Sequence, residues 1–159
     1  MMVMAELKFM EEAVALGLQG MHSNEGGPFG CVVVKDGQII GKGWNKVMAN
    51  NDPTAHAEVT AIRDACKNIN SFQLTGCEVY TTCEPCPMCM GAIYWARPDK
   101  VYYANTRKDA AAIGFDDSMI YEELTLPMHE RKIIMECLSS KDATDMFESW
   151  VAKNNKTLY

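Results

Sequence analysis

Apolar residues recur at helical spacing from the start of the chain. Leu7, Met10, Val14, Gly17 and Met21 form one stripe, with Glu6, Glu11 and Glu12 on the outer face of the early turns. This predicts a first amphipathic helix that stops in the region of Gly20 and 24–27. The stretch 29–35 is apolar and β-branched, Asp36-Gly37 is a hairpin turn, and 38–44 returns as a second strand. Asp52-Pro53-Thr54 opens a helix running from about Ala55 to Lys67, which puts His56 and Glu58 in its first turn. A third strand follows over 77–82, then a helix over 87–96. Arg97-Pro98-Asp99 breaks that helix before a fourth strand at 100–104. Beyond Thr106 the pattern weakens. It supports a short helix over 118–124, a strand over 132–138, and an amphipathic helix over 142–153 built on Met146, Phe147, Trp150 and Val151. A polar tail, about 154–159, ends on an aromatic ring.

Strands alternating with helices imply parallel neighbours and helices on both faces of the sheet. The expectation is a single domain over 1–159 of class α/β: three layers, α/β/α, around a mixed sheet of about five strands. The helices that begin near His56 and Pro87 start on the same sheet edge, where α/β proteins carry their sites.

A chain of 159 residues, 48% hydrophobic and 23% charged, suits one soluble domain with a proper core. A net charge of −6 argues against a nucleic-acid surface. No apolar run approaches the roughly 18 residues of a membrane span, and residues 1–6 lack the basic start and apolar core of a signal peptide. Seven cysteines, an odd number and partly clustered, fit metal binding in a reducing compartment, the cytoplasm, better than disulfides.

The cluster is Pro85-Cys86-Pro87-Met88-Cys89, read with His56-Ala57-Glu58. Two thiols separated by two residues reach one metal ion, and a helix start favours them as thiolates. His56 supplies a third ligand and leaves a tetrahedral corner for water. Zinc held by two thiolates and a neutral imidazole is close to neutral overall, so it polarises water less than an ion held by three neutral histidines and needs a carboxylate beside it. Glu58 fills that role as a mover of protons. Cys83 offers an alternative, a closed site of three cysteines and one histidine. It precedes Pro85, however, at a strand end or turn, which aims it elsewhere. An iron–sulfur run would need a fourth cysteine at that spacing. Cys31, Cys66, Cys77 and Cys137 read as small buried hydrophobes, and His22 and His129 as solvated. Asp116 and Asp117 fit equally a helix cap, and Tyr159 a frayed end.

The chain resembles the cytidine deaminase-like superfamily, and within it the guanine deaminases, over nearly its whole length. The resemblance is carried by Gly27-Pro28-Phe29-Gly30, Asn45, 51–58, 83–89, 94–98, Gly114-Phe115-Asp116-Asp117-Ser118 and Tyr159. It implies one zinc per chain on His56, Cys86 and Cys89, Glu58 as proton shuttle, and Asp117 as a second acid at the base. It also implies that Asn45 and the N–H of Ala57 read the ring, with Phe29, Trp95, Phe115 and Tyr159 as flat walls. The implied reaction turns guanine into xanthine and ammonia, in a homodimer whose swapped C-terminal tail lids the partner's pocket. An ionised carboxylate accepts only, so Asp117 suits the N1–H and amino donors of guanine. Rival readings are a guanosine deaminase, a tRNA adenosine deaminase, and a structural zinc module. The last has no use for Glu58.

Overall fold

The structure, a computed structural model, describes residues 2–159, with side chains from Leu7 onward. The expectations for Glu6 and for the opening residues therefore lie outside the described side chains. Helix α1 spans Met2–His22, but its inward face is Phe9, Ala13 and Leu16, while Leu7 and Val14 are exposed. Two apolar stripes compete on this helix. Gly17 and Gly20 decide between them, because they let the inner one approach Gly30 and Trp44 closely.

Strands β1 (Gly30–Lys35) and β2 (Gln38–Trp44) form the expected hairpin. Asp36 and Gly37 both take positive φ, at 49° and 73°, as a two-residue turn of this kind requires. A short helix α2 (Val47–Asn50) follows, then α3 (Ala57–Asn68), β3 (Cys77–Cys83), α4 (Pro87–Ala96) and β4 (Lys100–Asn105). Helix α3 begins two residues later than expected, leaving His56 as its N-cap.

The sheet has four strands in the order β2-β1-β3-β4, so the class is the expected mixed α/β/α with one strand fewer. Parallel pairing holds for β3 and β4, which flank α4. It fails for β2 and β3 as neighbours, because β1 sits between them and pairs antiparallel with both. Val32, Val34 and Tyr80 pack on the α1 side, and Cys31, Val33, Cys77 and Val79 on the side of α3 and its Ala57, Ala61 and Ala65. Helix α3 lies close on β2. A Cβ at Gly43 would stand 2.3 Å from the Ala57 carbonyl oxygen and 2.4 Å from the Ala61 nitrogen.

Helix α5 (Arg107–Ala112) was not expected from periodicity. It is held by a capping box, in which the Thr106 hydroxyl accepts from the Asp109 N–H and the Asp109 carboxylate accepts from the Thr106 N–H.

The chain divides into two compact units, one ending at Asp117 and the other Ser118–Tyr159. The second contains α6 (Ser118–Thr125), a 3₁₀ turn (Met128–Glu130) and α7 (Lys141–Ala152). The expected strand over 132–138 is not formed. A strand exists only against a partner ladder, and among the described residues this unit offers none. Ile133, Ile134, Met135 and Leu138 are exposed there, as is Cys137, which had been expected to be buried. No described helix is long and apolar enough to cross a membrane.

Candidate metal centre

His56 and Cys86 occupy equivalent positions, each the N-cap of a helix with an extended backbone (φ −68°, ψ 159° and φ −66°, ψ 168°). Neither side chain caps its own helix by a hydrogen bond. Pro87 fills the first helical position of α4, where its missing N–H costs nothing and its fixed φ starts the turn. Cys89, three residues on, lies on the face shared with Cys86 and is fully buried.

The cluster is tight. His56 Nδ1 lies 3.6 Å from Cys86 Sγ and 3.5 Å from Cys89 Sγ, and all three ligand atoms fall within 4.8 Å of one another. Zinc bonds of about 2.3 Å to sulfur and 2.05 Å to nitrogen, at a tetrahedral angle, set nitrogen and sulfur about 3.6 Å apart. The donor set therefore fits zinc in both chemistry and spacing, with one corner left over.

Glu58 stands beside this set. Its Oε2 is 3.3 Å from Cys89 Sγ, and its Oε1 accepts from the Thr81 hydroxyl at 3.2 Å. Burial raises the Glu58 carboxyl above its ordinary value. A hydrogen bond from Cys89 holds Cys86 as a thiolate, down to about 4, and the same bond pushes the Cys89 thiol up. The Cys86 sulfur in turn raises His56. Two sulfurs sharing one proton beside an imidazole is an arrangement that a cation can replace. Cys83 is turned away: its Sγ lies on the Thr106 carbonyl at 3.7 Å, and burial raises it to about 11.

Among the residues expected to hold a substrate, Asn45 is buried. Its Oδ1 accepts from the Val47 N–H at 3.1 Å. A backbone N–H can only donate, so the amide orientation is fixed and its NH₂ is the free end. Gly26 makes room for it, since a Cβ there would stand 2.1 Å from that oxygen. Ala57 is buried at the first position of α3, where its N–H has no partner in the helix ladder. Phe29 and Phe115 pack edge to face at 4.9 Å. Asp117 is half-buried and close enough to Cys86 to feel its charge; desolvation first, and that charge second, raise its carboxyl.

Trp95 is exposed. Six residues beyond Cys89, it stands about 9 Å further along α4 and roughly 120° around it. Tyr159 is exposed at the end of the second unit. Glu84, just before α4, accepts from the Arg107 N–H at the start of α5 at 2.9 Å.

Two contacts were not anticipated, Thr81 against Glu58 and Gly26 against Asn45. The strand alternation that puts Val79 and Cys77 on the α3 side also puts Thr81 there, and that signal was available.

Comparison with known proteins supplies the context. The family described as the cytidine and deoxycytidylate deaminase zinc-binding region matches residues 4–105. The chain is 52% identical to a guanine deaminase of Bacillus subtilis over 95% of this chain and 97% of that one. It is 34% identical to a tRNA-specific adenosine deaminase of Aquifex aeolicus over 79% and 81%. Among solved structures, the Bacillus subtilis guanine deaminase superposes with a TM-score of 0.92, covering 96% and 97% of the two chains at 52% identity. A guanine deaminase from Nitrosomonas europaea superposes at 0.65, with 31% identity over 69% of this chain and 63% of that one.

Proposed function

Because the chain belongs to the cytidine and deoxycytidylate deaminase zinc-binding family, we propose that it hydrolyses guanine to xanthine and ammonia. The observation that carries the choice of substrate is the 52% identity to a guanine deaminase along nearly the whole of both chains. The buried carboxylate beside a three-donor centre supports the reaction class. His56, Cys86 and Cys89 hold one zinc per chain. When bound, zinc supplies the Lewis acidity that makes water nucleophilic near neutral pH.

Glu58 takes one proton from the attacking water and delivers it to ring nitrogen N3, then takes the remaining proton from the new C2 hydroxyl and passes it to the departing amino group. The water oxygen bonds to C2, the bond from C2 to the amino nitrogen breaks, and ammonia leaves. Asp117 accepts from the donor edge of the base. The NH₂ of Asn45 and the N–H of Ala57 donate to its acceptors. Phe29 and Phe115, packed edge to face on each other, form one apolar wall beside it.

Ammonia release from guanine, adenine, cytosine, guanosine and a tRNA substrate tests this. Guanine is expected to be turned over and the others not; release from adenosine in tRNA with none from guanine would overturn it. D117N keeps the size of the side chain but loses its charge. It is expected to lower kcat/KM for guanine by about 10²-fold, since sites built on hydrogen bonds reject mismatched partners strongly.

The assembly is read as a homodimer with a swapped C-terminal segment. The support is apolar surface that a monomer seldom carries: Tyr94, Trp95, Ile133, Ile134, Leu138, Phe147 and Val151 are all exposed. On this reading Trp95 and Tyr159 become walls of a completed pocket, and one domain spans 1–159. Sedimentation should give twice the 17.7 kDa chain mass. Deleting 156–159 should slow turnover without changing that mass, and a monomer with full activity would reject the reading. All seven cysteines are free, which supports a cytoplasmic location.

A further inference from the structure

Thr81 faces the α3 side of β3, opposite Cys31 of β1, and is 1% exposed. Its neighbours along that face are Val79 and Cys77, both in the apolar core. A hydroxyl in such a row is costly unless it is hydrogen-bonded, and valine would fill the same shape without that cost. The next residue, Thr82, serves the fold by accepting from the Gly30 N–H at 3.1 Å. The Thr81 hydroxyl instead donates to Glu58 Oε1 at 3.2 Å.

Glu58 needs such a partner. The last torsion of a glutamate is broad and two-fold, so packing alone leaves the carboxylate free to turn. Its other contacts are its own backbone N–H and Cys89 Sγ, 3.3 Å from Oε2. A thiolate committed to a metal has no proton to give. The bond from Thr81 then remains as the side-chain donor that fixes one oxygen and leaves the other facing the cluster. We propose that Thr81 is a positioning residue for proton transfer, holding Glu58 so that Oε2 points at the corner left open by His56, Cys86 and Cys89. This rests on the reading of Glu58 as the proton carrier.

Steady-state kinetics on guanine with T81V and T81S, with zinc content measured on each, test the inference. T81V should lower kcat about tenfold with KM within about twofold, because misorientation affects the chemical step more than binding. T81S keeps the hydroxyl and should stay within about twofold of the parent in kcat. Zinc content should not change in either. If T81V does not fold, T81A takes its place against T81S. A hydroxyl-free variant as fast as the parent, or T81S as slow as T81V, would overturn the proposal. E58Q run alongside separates the two ideas: an active E58Q rejects the carrier itself, whereas an inactive E58Q with an unimpaired T81V rejects Thr81 alone.

Discussion

E58Q is expected to retain its zinc and lose about 10²–10⁴-fold in kcat, the range that a positioned acid–base group supplies. Glutamine has nearly the same shape, and its carbonyl oxygen can still accept from the Thr81 hydroxyl, so the packing around β3 survives. What it lacks is a site that can take up a proton and release it again. The loss should fall on kcat rather than KM, because the carboxylate acts in the chemistry more than in holding the base. The measurement is turnover of guanine paired with metal analysis on the same preparation. Activity within tenfold of the parent at full zinc loading would remove Glu58 from proton transfer.

The second large effect is expected from C89A. This side chain is fully buried and sits 3.5 Å from His56 Nδ1 and 3.3 Å from Glu58 Oε2. Without its sulfur, two donors remain, on the N-caps of two different helices, and zinc should be lost on dialysis together with turnover. Thermal stability should fall as well, since any ion that binds only the folded chain adds its binding free energy to folding. H129A provides the control, because His129 is exposed and its partner is Glu130; it should keep both metal and rate. If C89A held a full complement of zinc, another residue would have to be the third ligand.

The metal centre was legible because its information is local. Two cysteines three apart after a proline, and a histidine two before a glutamate, need only helix geometry to be placed. The hairpin at Asp36-Gly37 was legible for the same reason. What failed depended on distant parts of the chain. The spacing of Leu7 and Val14 is as helical as that of Phe9, Ala13 and Leu16, and only the surfaces of Gly30 and Trp44 choose between them. The order of the strands depends on β1 entering between β2 and β3, which no periodicity reports. The segment 132–138 has the composition of a strand without a neighbour in its own unit. The Thr106–Asp109 box is equally local, but aspartate stands at its third helical position where the usual pattern has glutamate or glutamine.

Gly43 joins two matters usually treated apart. The missing side chain lets the first turn of α3 rest on the sheet, and that turn is where His56, Ala57 and Glu58 are set. A single methyl group there would have to lift the helix start by about an ångström to reach ordinary contact, and Glu58 would rise with it. A variant selected only for altered thermal tolerance at this position would therefore register as a kinetic defect, so the interior packing of this chain also calibrates its chemistry.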